Sequence, residues 1–169
     1  MVNIVYTGGT FEFFHPGHVN FLRQCWKIAG NPYSWFGESV TDNKVVVSLN
    51  TDEFVERYKG YKPLFSYDER KMMLQSCKYV CDVVPNIGGE NSKPAIEKIK
   101  PDFIVVGSDW AKKDYYTQMG FTQKWLDSKG ILLIYVPYTE GISSTDLKKR
   151  LLDYGPANKV STNRDILST

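Results

Sequence analysis

The segment from Val2 to Gln24 constrains this chain more than any other. Val2-Asn3-Ile4-Val5-Tyr6-Thr7 reads as a short apolar strand. It is predicted to break at Gly8-Gly9, where glycine leaves φ free. It restarts as a helix at Pro16, whose missing N–H does no harm in a first turn. Strand, glycine turn and helix N-terminus in this order make an anion site, because unpaired N–H groups and the positive end of the helix dipole face one crevice. The two histidines, His15 and His18, both lie in this turn. Three residues apart at a helix start, they share a face. A neutral imidazole donates a hydrogen bond to phosphate, and a protonated one adds charge. One histidine here would read as a cap or a packing residue; two beside a dipole end point to function.

The rest of the chain alternates strand and helix. Lys44–Asn50, Cys81–Val84, Asp102–Gly107 and Ile131–Val136 are apolar, β-branched runs that read as parallel strands. Helices are predicted over Pro16–Ala29, from Thr51, from the capping box Ser66-Tyr67-Asp68-Glu69 through Cys77, over Pro94–Lys100 with Ser92 as cap, over Thr117–Ser128 and over Thr145–Leu152. This is the pattern of an α/β protein with a Rossmann-like, doubly wound sheet of about five parallel strands and helices on both faces. Residues 1–153 form one domain and 154–169 a polar tail. Asn31–Asn43, which carries Trp35-Phe36, is long for a helix–strand connection and reads as a functional loop or a dimer contact. Ligands of such sheets bind beyond the carboxyl ends of the strands. Thr7-Gly8-Gly9, Asn50-Thr51-Asp52, Gly107-Ser108-Asp109-Trp110 and Pro137-Tyr138-Thr139-Glu140-Gly141 gather there.

Composition excludes several classes. The 169 residues, 42% hydrophobic and 24% charged, suffice for one domain with a core. A net charge of +2 without a basic stripe argues against nucleic-acid and membrane partners. Cys25, Cys77 and Cys81 form no C-x-x-C pair, and with two histidines no zinc set can be built. An odd number of core-facing cysteines suits a reducing cytoplasm. The chain enters a strand at once, so no signal peptide is expected, and no apolar run spans a bilayer.

A second phosphate-binding candidate is Thr139-Glu140-Gly141-Ile142-Ser143-Ser144-Thr145, a glycine turn feeding a hydroxyl-rich helix start. Taken alone, Ser143 or Ser144 is equally well an N-cap; on the same sheet edge as the histidine turn, the phosphate reading prevails.

These strings resemble a known family. Gly9-Thr10-Phe11-Glu12 followed by His15-Pro16-Gly17-His18 resembles the GTFD…HxGH signature of the nucleotidyltransferase superfamily, in its cytidylyltransferase branch, with Glu12 in place of Asp. Residues 138–145 resemble that branch's RTEGIS(S/T)T string, with Tyr138 at the arginine position. Asp109-Trp110 resembles the DDW string of the glycerol-phosphate type, with Ser108 for the first Asp. Arg70 resembles the arginine of the family's E-x-R-K helix, and Lys78 stands where its RYVD string has Arg. By this resemblance His15, His18 and Lys59 are catalytic, with Lys62 as the alternative lysine. Gly9, Thr10, Phe11, Gly17, Asp109, Thr139, Gly141, Ile142, Ser143, Ser144 and Thr145 bind nucleotide. Arg70, Lys78 and Trp110 bind substrate, although Trp110 either stacks on a base or packs as core. The resemblance further implies CTP, a small phosphorylated alcohol such as glycerol 3-phosphate, Mg²⁺ carried by the triphosphate rather than a protein metal site, and a homodimer. Rival readings are a same-fold enzyme for ATP, GTP or a sugar phosphate, and a non-catalytic nucleotide-binding module.

Overall fold

The structure, a computed structural model, describes residues 2–30, 42–112 and 114–154. Most of the Asn31–Asn43 loop, with Trp35 and Phe36, and the tail beyond residue 154 lie outside the described residues.

Five parallel strands, β1 (Ile4–Gly9), β2 (Lys44–Leu49), β3 (Asp82–Pro85), β4 (Phe103–Gly107) and β5 (Leu132–Val136), pair in the order β3-β2-β1-β4-β5. The helices are α1 (Pro16–Ile28), α2 (Asp52–Lys59), α3 (Tyr67–Gln75), α4 (Lys93–Ile99), α5 (Tyr115–Met119), α6 (Gln123–Lys129) and α7 (Ser144–Asp153), with a 3-10 turn over Ser108–Lys112. Strand periodicity sorts the side chains onto two faces. Val5, Val45 and Val105 pack on Cys25 and Ala29 at α1, and Val47, Leu49 and Val83 pack with Leu22 and Leu74. Tyr6, Ile104 and Val106 point the other way, onto Ala95 and Ile96 of α4 and the aromatic cluster of Tyr115 and Phe121. Each buried aliphatic side chain contributes about 1.5–3 kcal/mol. Helix starts follow their caps: Thr51 Oγ1 accepts from Phe54 N at 3.2 Å, and Ser66 and Glu69 close a capping box. Among the described residues no helix is long and apolar enough to cross a membrane.

Four expectations change. First, β1 does not break at Gly8-Gly9; both glycines stay in the strand, paired to Ser48 and Leu49. The positive φ angles fall instead on Phe11 (50°) and Phe13 (51°). The glycines are needed for space, since a Cβ on Gly9 would stand 3.1 Å from the Phe11 ring. Second, the helix expected over Thr117–Ser128 is two helices, divided at Gly120 (φ 71°) so that Phe121 can drop into the core. Third, Ser92 makes no side-chain cap; it is fully buried, with its N–H on the Met119 carbonyl at 3.0 Å. Fourth, only Cys25 is buried, while Cys77 is half-buried and Cys81 exposed.

The strand order reverses between β1 and β4. The crevice above their carboxyl ends is where such a sheet binds ligands, and β1 delivers the histidine turn to it.

Candidate active site

A cavity of about 510 Å³ opens at that switch point. Thr7, Gly8 and Gly9 of β1 line it, with His15, Gly17 and His18 on one side and Lys59 at the end of α2.

The histidine turn is tied internally. His15 is the N-cap of α1, 7% exposed, and its Nδ1 accepts from Gly17 N at 3.1 Å. His18 Nδ1 in turn accepts from His15 N at 3.4 Å, so the two histidines form a capping box. Their rings stack at 3.8 Å. Gly17 must lack a side chain, because a Cβ would lie 2.8 Å from His15 Cε1. Both Nδ1 atoms accept, so each neutral ring carries its proton on Nε2. The expectation of free first-turn N–H groups is corrected here. Pro16 has none, Gly17 N–H goes to His15, and His18 and Val19 N–H go to the His15 carbonyl at 2.9 and 3.2 Å. The turn therefore offers imidazole donors, backed by the helix dipole. Burial lowers the pKa of His15; burial, then the neighbouring His15, takes His18 down to about 3.

That depression sets an acid limit on stability. The unfolded imidazole takes up its proton near pH 6.5 and the folded one only near 3, so stability is full above 6.5 and declines as pH falls toward 3. Between pH 6.5 and 5, above the carboxylate range, urea unfolding of the wild type is expected to lose about 1–2 kcal/mol. His18→Gln should flatten much of that decline, and an equally steep decline in the variant would refute the assignment.

Glu12 anchors the same histidine turn from outside the cavity lining. Its carboxylate, 4% exposed, takes Leu64 N at 3.2 Å, Tyr61 OH at 3.1 Å and Lys148 Nζ at 3.1 Å. Burial works against its ionisation, but these three donors together hold its pKa below the usual value. Its carbonyl accepts from Ser144 Oγ at 2.8 Å. Glu12 thus binds the histidine turn to the 61–64 turn and to α7. Sequence reading noted Glu12 only as a substitute for Asp and missed Lys148. The ammonium of Lys59 has its pKa lowered by desolvation; Glu12 opposes this, while Lys148 and Arg70 add to it.

Eleven expected residues meet at the cavity: Gly9, Thr10, Phe11, His15, Gly17, His18, Lys59, Asp109, Trp110, Thr139 and Ser144. Six do not. Ser143 is the N-cap of α7, accepting from Asp146 N at 3.0 Å. Ile142 packs beside Gly17, and Gly141 and Thr145 are exposed outside the lining. Arg70 is fully buried, and its guanidinium is taken up by the Phe65 carbonyl at 3.0 Å, the Thr10 carbonyl at 2.7 Å and Asp52 at 2.6 Å. It holds the wall in place and does not face the cavity. Lys78, exposed beside the Tyr79 ring, precedes the amino end of β3, on the sheet edge away from the cavity. Trp110 is half-buried, packing edge-on to Tyr115 at 5.6 Å, and reaches the cavity as well. Tyr138 lines the rim, its phenol pKa raised by burial, then by Asp109 and Asp146. Sequence reasoning missed Asn86, whose signal is its place at the carboxyl end of β3, and the apolar portion formed by Phe54, Tyr58 and Met119.

Among the described residues lining the cavity, Lys59 is the one Lys or Arg. A switch-point cavity with a paired-histidine helix start, a lysine and a hydroxyl defines an α/β protein built to handle nucleotide phosphates. The comparisons agree. The Cytidylyltransferase-like family profile matches residues 6–150, and the chain belongs to that family; it is a nucleotidyltransferase. It is 32% identical over 147 residues to the glycerol-3-phosphate cytidylyltransferase of Staphylococcus aureus (strain NCTC 8325 / PS 47), covering 87% of this chain and 93% of that one. It is 35% identical over 107 residues to the ethanolamine-phosphate cytidylyltransferase of Mus musculus, covering 62% and 23%. The fold is also that of the lipopolysaccharide core biosynthesis protein from Thermoplasma volcanium GSS1, with a TM-score of 0.59 at 22% identity over 82% of this chain and 98% of that one.

Proposed function

We propose that this protein couples CTP to glycerol 3-phosphate, giving CDP-glycerol and pyrophosphate. The observation that carries the reading is the His15–His18 pair, two neutral rings with their Nε2 protons left to donate at the cavity, with Lys59 in the same lining. Similarity to the glycerol-3-phosphate cytidylyltransferases over most of both chains supports the choice of substrates.

An oxygen of the acceptor phosphate attacks the α-phosphorus, and the bond from that phosphorus to the bridging oxygen of pyrophosphate breaks. The nucleophile is already an anion, so no strong base is required. The protein's work is alignment and stabilisation of charge on the phosphoryl oxygens. His18 donates to the α-phosphoryl oxygens, and His15 and Lys59 hold the triphosphate. Among the described residues no group of three or more His, Cys, Asp or Glu is placed to hold a metal ion. Mg²⁺ on a triphosphate is held mostly by phosphate and water, and one carboxylate is enough to meet it; Asp109, just beyond the carboxyl end of β4, would fit that need. When bound, the ion neutralises phosphate charge that Lys59 does not.

The three cysteines are free, which supports a reducing compartment such as the cytoplasm. The family resemblance supports a homodimer, to be checked by light scattering. The test of function is pyrophosphate release with Mg²⁺ across CTP, ATP and GTP, with and without glycerol 3-phosphate. Release that needs both CTP and the acceptor is expected. Release with ATP or GTP alone would replace the base, and release without an acceptor would replace the reaction.

A further inference from the structure

At the carboxyl ends of β1, β2 and β3 a chain of polar side chains runs along the cavity wall. Asn86 Nδ2 donates to Asn50 Oδ1 at 2.9 Å and to the Gly89 carbonyl at 2.9 Å. Asn50 Nδ2 donates to Thr10 Oγ1 at 3.2 Å. The direction of the chain is fixed, because the Gly89 carbonyl can only accept and the amide nitrogen of Asn86 must face it. Both ends are open. Thr10 Oγ1 already accepts, so its proton is left to donate, at the end beside the histidine turn. Asn86 Oδ1, on a residue more than nine-tenths buried, has no partner among the described residues. A buried carbonyl without a donor is costly and is retained where something supplies one. Asn86, Asn50 and Thr10 all line the cavity.

We infer that this chain measures the acceptor: Thr10 donates to its phosphate and Asn86 Oδ1 accepts from one of its hydroxyls, so that the substrate class is a phosphorylated polyol. The inference rests on the function proposed above and narrows it. A ligand that satisfies both ends must carry an acceptor at one end and an O–H or N–H donor at the other, and with glycerol 3-phosphate as the acceptor that donor is a hydroxyl. Oδ1 is screened from solvent in the unliganded protein, so only a group that enters the cavity and displaces its cover can reach it. The surrounding Phe54 and Tyr58 rings, stacked at 5.5 Å, suit the C–H faces of a polyol.

The experiment deletes the hydroxyl from the substrate as well as the amide from the protein. Pyrophosphate release with CTP is compared for glycerol 3-phosphate, 3-hydroxypropyl phosphate, 2-hydroxypropyl phosphate and propyl phosphate, in wild type, Asn86→Ala and Asn86→Asp. In the wild type, loss of the hydroxyl that is read should lower kcat/KM by about 10–100-fold, the cost of leaving one buried acceptor unpaired. In Asn86→Ala the hydroxylated and stripped acceptors should differ by less than about threefold, with KM for CTP unchanged within the same factor. Asn86→Asp keeps an acceptor oxygen but loses the bonds to Asn50 and Gly89, and should retain the hydroxyl preference. Preference lost in both variants would assign the effect to the loop, and preference kept in Asn86→Ala would show that Asn86 reads nothing; either overturns the inference. If only another phosphorylated polyol is used, glycerol 3-phosphate is wrong and the same deletion on that polyol decides Asn86. If hydroxyl-free phosphates serve equally well, the inference fails while cytidylyl transfer stands. If no phosphorylated alcohol releases pyrophosphate, both fail.

Discussion

His18→Ala is expected to lower kcat by about 10²–10³-fold, the cost of removing one preorganised donor from a charge-developing site. His18 is half-buried, stacked on His15 at 3.8 Å and on Phe14 at 5.8 Å, and its Nδ1 is occupied by His15 N. Its remaining proton is on Nε2. With its pKa near 3, the ring is neutral in the unliganded protein across the working range, so it contributes a fixed hydrogen bond and no charge. The interaction grows in value as charge builds on the phosphoryl oxygen, so kcat should fall more than KM for CTP rises. The fold should survive, because α1 keeps His15 as its N-cap and Leu22 and Cys25 as its buried face. Circular dichroism and the urea midpoint at pH 7 check the fold, and single-turnover kinetics check the step. Turnover within about threefold of wild type, in a folded variant, would remove His18 from the mechanism.

Arg70→Met is expected to lower stability by about 3 kcal/mol, near the lower limit for breaking a buried ion pair because Asp52 is 37% exposed and can regain water. The substitution keeps volume and deletes every donor. It leaves the Thr10 and Phe65 carbonyls and Asp52 without their partner. Thr10 also accepts from Asn50, so the cavity wall should loosen with it. Activity is then expected to fall in proportion to the unfolded or loosened fraction, and to recover in part at low temperature or with saturating CTP. Guanidinium binding to a substrate phosphate predicts the opposite pattern: an unchanged urea midpoint with KM raised at least about tenfold. The two roles are separated by one denaturation curve and one kinetic titration.

The contrast between these two residues explains what was readable. His15 and His18 are local: three residues apart in one turn, they could only share a face, and the capping box is a property of that turn. Thr51 and Ser66 were legible as caps for the same reason. Arg70 and Lys78 matched strings of a known family, but a string does not say which way a side chain points. Sixty residues separate Arg70 from the Thr10 carbonyl that it holds.

Glycine was legible as a signal and misleading as to its reason. Gly8 and Gly9 mark the end of β1, yet they serve close approach to Tyr6 and Phe11 and leave the left-handed backbone to Phe11 and Phe13. That strain is invisible to propensity, because the turn is held by Arg70, Tyr61 and Ser144 from elsewhere in the chain. Gly120 likewise split one periodic run into two helices because the core needed Phe121.

By itself the sequence determined the alternation of strand and helix, the parallel sheet, the edge at which ligands bind and the histidine turn, because hydrophobic period and helix capping act over a few residues. Only the tertiary structure decided that Glu12 joins Tyr61 and Lys148, that Arg70 is a strut, and that Asn86, in the cavity lining, keeps a buried oxygen without a partner among the described residues. Those contacts depend on where distant strands end relative to one another. Register and burial set that relation, and no window of sequence contains it.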